Sequence, residues 1–235
     1  MATLAQLVEA IADWEGMDPA TVRLIARTVR EAGLITTGGR GPSAGKMTFA
    51  DAANLLIAVN ASITMREAPE IVRKYRRLEA RSEGRLLGKF GEALEKLIEA
   101  LTTTQPLPKV YLSVALPASF SQNPIRDLEV TFHRPSAHAT LEISVVDRLA
   151  FQSQTRFSEI SKLTTKQANK VRRIIFGFTS PTEPPLVLHP DRITYKDGTP
   201  FVVHPNDRRD TTTIGYRTLS AVAFLLEHGR TKKVN

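Results

Sequence analysis

Apolar positions follow a helical period through the first hundred residues and a period of two beyond them. Leu4, Leu7, Val8 and Ile11 recur at helical spacing over residues 3–14, and Glu15-Gly16 supplies a stop. Asp18-Pro19-Ala20-Thr21 reads as the next helix start. Asp18 is placed to accept the free N–H groups of the first turn, and Pro19 stands where no donor is needed. That helix is predicted to run to Gly33, a residue suited to the position just past a helix end. Its apolar side is Val22, Ile25 and Val29, while Arg23, Arg27 and Arg30 fall within about 60° of one another on a different side. Residues 36–46 hold too many glycines for a helix, and "FADAANLLIAV" (49–59) restarts the helical pattern.

The stretch 66–104 is also predicted helical and is strongly charged. Residues 69–80, "PEIVRKYRRLEA", set Ile71, Val72, Tyr75 and Leu78 on one side, with the basic cluster Arg73, Lys74, Arg76 and Arg77 elsewhere; a solvated face is the reading favoured for that cluster. From about residue 86 a second helix is expected. Leu87, Phe90, Leu94, Leu97 and Leu101 keep the three-four spacing of a heptad seam, which suits either packing on the chain's own domains or a dimer contact. Thr102 to Pro108 has the polar and proline character of a boundary. Beyond it "KVYLSVAL" (109–116), "LEVTFHR" (128–134) and "HATLEISVV" (138–146) read as strands, the last two joined by a short turn, and "RITYKDGTPFVV" (192–203) reads as a hairpin turning at Asp197-Gly198. Two further helices are predicted, over 165–176, with Lys166, Lys170, Arg172 and Arg173, and at "YRTLSAVAFLLEH" (216–228).

The fold class implied is α+β: an all-α amino-terminal domain over 1–61, a helical connector with possible dimerisation helices over 62–105, and an α+β domain with antiparallel hairpins over 106–235. Composition agrees, since 42% hydrophobic and 24% charged residues are ordinary for a folded chain. The absence of cysteine removes disulfides, thiolate metal sites and cysteine nucleophiles, and fits a reducing compartment. No apolar run has the length of a membrane span, and Met1-Ala2-Thr3-Leu4 lacks a signal peptide's basic start, so a cytoplasmic, soluble protein is expected. A net charge of +8 points to a polyanionic partner, with nucleic acid ahead of lipid because no strongly basic amphipathic anchor is present. Most of the excess lies beyond residue 105, so an amino-terminal DNA contact would act through local patches.

The glycine-rich loop raises the question of a phosphate cradle. A P-loop needs glycine five positions before Gly45, where Arg40 stands, and a hydroxyl where Met47 stands, and no buried strand precedes the loop. Histidines 133, 138, 189, 204 and 228 form no metal-binding pair at helical spacing, and neither a nucleophile elbow nor a dinucleotide fingerprint occurs. No catalytic residue, metal, cofactor or small-molecule ligand is therefore proposed by the sequence, and an enzyme is not expected.

Instead, "GMDPATVRLIARTVREAGLI" resembles the recognition-helix segment of bacterial and phage winged helix-turn-helix proteins, and the loop followed by "MTFADAANLLIAV" is similar to the wing and third helix of MerR-like and excisionase-like domains. The resemblance covers about the first 60 residues. The second helix is longer than the MerR pattern and the effector-binding cysteines are missing, so it extends to the superfamily and not to the family. It implies a double-stranded DNA partner, with Ala20, Thr21, Arg23, Arg27 and Arg30 on the recognition helix and Arg40 and Lys46 on the wing. Such a protein is expected to be a homodimer that regulates transcription. The alternatives are a DNA-recognition subunit of phage packaging or excision, and a protein-docking adaptor.

Overall fold

In a computed structural model, which describes residues 2–38, 45–82, 85–102, 125–134, 137–146, 171–181, 186–189, 192–195 and 210–229, the first helices begin and end where the apolar pattern places them. Helix α1 (Leu4–Glu15) opens on a reciprocal capping box: the Gln6 N–H donates to Thr3 Oγ1 at 3.4 Å, and the Thr3 N–H donates to Gln6 Oε1 at 2.9 Å. It closes at Gly16, whose φ of 64° lies in the left-handed region that glycine enters without steric cost. Helix α2 (Pro19–Glu31) starts from Asp18 and is followed by Ala32 and by Gly33 at φ 72°, the position predicted for it.

Helix α3 (Phe49–Ala61) is buried at every position from Asp51 to Ala61, so it is a core helix and not a surface one. Its two asparagines fit this setting because both amides are used: Asn54 Nδ2 donates to the Leu34 carbonyl at 2.6 Å and Asn60 Nδ2 to the Leu56 carbonyl at 3.1 Å. Around it pack α2, α4 (Ala68–Arg76) and α5 (Phe90–Ala100). Between α4 and α5 the Arg76 guanidinium joins the Asn54 amide oxygen at 2.7 Å and the Glu95 carboxylate. The two helices meet so closely at Gly91 that a Cβ there would stand 2.9 Å from Arg76 Cγ.

The expected connector is not wholly helical. Residues 79–82 and 85–89 are two antiparallel strands, β1 (Glu79–Ser82) paired with β2 (Arg85–Lys89), and α5 begins only at Phe90. Gly84 and Gly88 weaken a helix across this stretch. Leu87 of the predicted seam therefore lies on a strand, and Phe90, Leu94 and Leu97 are buried within the chain, so the seam is an internal packing face.

A four-stranded antiparallel sheet follows, in the order β5-β4-β3-β8, built from β3 (Ile125–Arg134), β4 (His138–Val146), β5 (Val171–Phe178) and β8 (Asp210–Gly215). The β3–β4 hairpin is the one predicted, with Val130 opposite Leu141 and His133 opposite His138. Along β3 the buried residues are Leu128, Val130 and Phe132 with Glu129 exposed between them, the period-two pattern of a sheet with one covered face. Strand β5 corrects the helix expected over 165–176: Val171, Ile174, Ile175, Phe176 and Phe178 are β-formers, and pairing along β4 outweighs the helical reading of the basic spacing. Residues 165–170, the strand expected over 109–116 and the turn at Asp197-Gly198 lie outside the described residues. Strand β7 (Arg192–Tyr195) pairs with β6 (Leu186–His189).

The terminal helix α6 (Tyr216–His228) follows β8 directly and packs on α1, where Gln6 Nε2 donates to the Gly229 carbonyl at 3.0 Å. An aromatic cluster joins helices to sheet: Phe90 lies 5.7 Å from Phe132 and 5.2 Å from Phe178, and Tyr75 lies 5.9 Å from Phe132, centroid to centroid. The architecture is α+β. Buried residues from Ala2 to Leu226 make one contiguous cluster, so the boundary expected at residue 61 falls inside a shared core. No helix among the described residues is long and apolar enough to cross a membrane.

Candidate nucleic-acid interface

The solvent face of α2 is built by its own capping and amphipathicity. Val22, Ile25, Ala26 and Val29 are buried, which turns Arg23, Leu24, Arg27 and Arg30 outward. A groove of about 390 Å³ runs between α1 and α2, with Leu4, Ala5 and Val8 along one wall and Arg23, Leu24, Arg27 and Arg30 along the other. A second hollow of about 390 Å³ continues from it through Leu4, Ala5 and Arg30 to Thr36, Thr37, Gly38, Gly45 and Met47 at the base of the glycine-rich loop. Arg30 lines both.

The arginines differ in how free they are. Arg27 Nε donates to Glu31 Oε1 at 2.7 Å with both side chains largely exposed (67% and 59%), and the hydrogen bond and charge of Glu31 hold the guanidinium's already high pKa higher still. Arg23 and Arg30 have no ion-pair partner among the described residues. Leu24, 49% exposed, stands between them as an apolar contact surface.

At the start of α2 the geometry departs from the expected reading. Asp18 accepts the Ala20 N–H at 3.3 Å, the Thr21 N–H at 3.0 Å and the Thr21 hydroxyl at 3.0 Å, and these bonds, the Ala20 N–H foremost, hold its carboxyl below the ordinary range. Thr21 spends its hydroxyl on its own cap, and a carboxylate sits beside Ala20 where base edges were expected to be reached. The cations of the helix, Arg23, Arg27 and Arg30, begin only after this capped first turn.

The legs of the glycine-rich loop are tied together by one carboxylate. Asp51, 3% exposed, accepts from Thr36 N at 2.7 Å and Thr36 Oγ1 at 3.1 Å through one oxygen, and from Thr48 N and Oγ1, both at 2.8 Å, through the other. The backbone also closes, since a Cβ on Gly45 would stand 3.0 Å from Gly38 Cα. Lys46 is exposed just beyond this closure, and Arg40 lies outside the described residues. Residues 36–38 and 45–48 form no strand, so the described legs of the loop are not the β-hairpin that a wing implies. Sequence reasoning missed Asp51 as the clamp because its partners lie 15 and three positions away on the two legs, a closure visible only once α3 is placed.

A third hollow, about 700 Å³, lies where α1 meets β8 and α6, lined by Trp14, Glu15, Thr213, Gly215, Tyr216, Arg217 and Thr218. Burial pushes the Glu15 carboxyl up from its ordinary value, with a hydrogen bond to the Thr218 side chain opposing, and Glu15 Oε1 is buried with no hydrogen-bond partner. A carboxyl raised in the folded state stabilises it fully below the unfolded pKa, near 4.5, and that stabilisation is lost as pH rises through the folded value. Glu15→Gln is therefore expected to raise the thermal midpoint at about pH 7 and leave it nearly unchanged at about pH 3. Equal shifts at both pH values would show that Glu15 is not ionising against its surroundings.

Among the described residues no group of three or more His, Asp or Glu is arranged to hold a metal ion. No protein-family model matches this chain, and neither the curated proteins nor the solved structures hold a match to it.

Proposed function

We propose that the chain binds double-stranded DNA through the solvent face of α2, acting in the cytoplasm as a site-specific regulator of transcription rather than as a catalyst. The observation that carries this reading is the exposure of Arg23, Arg27 and Arg30 along one groove of a helix whose opposite side is wholly buried. An α-helix fits the major groove, and arginine can bind the O6 and N7 of guanine with two hydrogen bonds. Leu24 between the arginines offers an apolar surface for a thymine methyl. Lys46 at the closed base of the loop adds a mobile ammonium suited to a phosphate. The same surface serves DNA recognition in packaging or excision equally well.

Homodimerisation belongs to this reading through the symmetry of paired half-sites alone, because the seam expected to supply the contact is buried internally. The docking-adaptor reading is favoured by one feature, the apolar wall of Leu4, Ala5 and Val8 facing arginines, which suits an acidic amphipathic helix.

The test is a salt titration of binding to duplex DNA, with sedimentation of the same samples to count the copies bound. Binding should weaken with a log-log slope of roughly −0.9 per phosphate neutralised, on random and selected duplexes alike. Absence of binding at low salt, or binding indifferent to salt, would remove the DNA reading and leave the acidic-peptide one.

A further inference from the structure

The basic cluster of α4 has no role in the interface described so far. Arg73, Lys74 and Arg77 are exposed, whereas Arg76 of the same cluster turns inward to Asn54 and Glu95. Arg73 Nη2 donates to the Ala32 carbonyl at 3.3 Å, which places its guanidinium at the carboxy-terminal end of α2. One such bond leaves most of the five N–H donors of an arginine unused. The side chains of Lys74 and Arg77 have no ion-pair or hydrogen-bond partner among the described residues. Two anions share this face: Glu70 is exposed three positions before Arg73 and four before Lys74, and half-buried Glu67, seven before Lys74, accepts the Ile63 and Thr64 N–H groups at 2.6 Å. Three cations against two carboxylates leave the edge positive.

Its position gives the charge a use. Helices α1 and α4 each contact α2 and hardly touch one another, so they meet it at separate places. Towards α1 the groove wall carries Arg23, Arg27 and Arg30, and from α4 Arg73 reaches the carboxy-terminal end of α2. A helix about 10–12 Å across fills a major groove about 12 Å wide, so the two sugar-phosphate strands run along its two flanks. We propose that the exposed edge of α4, Arg73, Lys74 and Arg77, is a second phosphate-binding surface that grips a DNA strand beside the carboxy-terminal end of α2. This rests on the reading of α2 as the helix that enters the groove. Contacts of this kind fix position and carry no base preference.

The experiment uses the full chain with a random-sequence and a selected DNA duplex, with affinity measured across a salt series. The paired variant Lys74→Gln with Arg77→Gln, both side chains exposed and unpartnered, is expected to lower affinity on random and selected duplexes by the same factor. It should also reduce the log-log salt slope by about two units. Glu70→Gln, which removes the exposed opposing charge, is expected to tighten binding on both duplexes. This second variant keeps the proposal testable should the double substitution lower the amount of folded protein. A slope unchanged in the paired variant, with Arg30→Ala still weakening binding, would overturn the α4 surface and leave the α2 interface standing. An affinity unchanged by Glu70→Gln would also count against it. Failure of the unaltered protein to bind either duplex at low salt would overturn both readings together.

Discussion

Phe90→Ala is expected to cost about 3–5 kcal/mol of folding stability, the largest loss of any single truncation considered for this chain. Phe90 is 1% exposed at the first position of α5, where its backbone N–H donates to the Leu78 carbonyl at 2.8 Å. Its ring meets Tyr75 of α4, Phe132 of β3 and Phe178 of β5 at centroid separations of 6.4, 5.7 and 5.2 Å. Truncation removes one ring from three edge contacts and leaves a cavity whose other walls belong to different elements, so collapse is poor and the cavity cost is retained. Denaturant unfolding measures this, with Leu24→Ala as the exposed control expected to change stability by no more than about 0.5 kcal/mol. A loss below about 1 kcal/mol for Phe90→Ala would mean that helices and sheet do not share the core seen here.

Arg30→Ala is expected to have the largest effect on DNA binding, costing about 1–3 kcal/mol on a selected site. Arg30 lines both hollows of the α1–α2 trough and has no ion-pair partner among the described residues, so its whole guanidinium is available to a ligand. Arg27 must first loosen its 2.7 Å bond to Glu31, and Arg27→Ala is accordingly expected to cost distinctly less. Lys46→Ala should weaken selected and random duplexes equally and reduce the salt slope by about one unit, as loss of a single phosphate contact does. The measurement is competition between a selected and a random duplex for each variant. If Lys46→Ala alone lost discrimination while Arg30→Ala weakened all sequences equally, the loop would be the reader and α2 the backbone contact. Helical content should be unchanged throughout, because none of these side chains lies on the buried side formed by Val22, Ile25 and Val29.

Local chemistry determined a large part of this protein in advance. Asp18-Pro19 and Gly33 set the limits of α2, Glu15-Gly16 ended α1, and the alternation in 128–146 set a hairpin, because capping and short-range pairing depend on residues within a few positions of one another. The amphipathic arrangement of α2, with its arginines outward, follows from the same local period. What tertiary structure alone decided depends on partners distant in sequence. Residues 171–178 are a strand because β4 is there to pair with them, and the leucine seam faces inward because α3 is buried against α5. Asp51 clamps the glycine-rich loop because α3 brings it beneath both legs, and Arg73 meets α2 across 41 positions of chain. The division into separate domains expected from the change of hydrophobic period gives way to a common core for the same reason: α6, more than 200 positions from α1, has an apolar face whose burial against α1 favours bringing the two helices together.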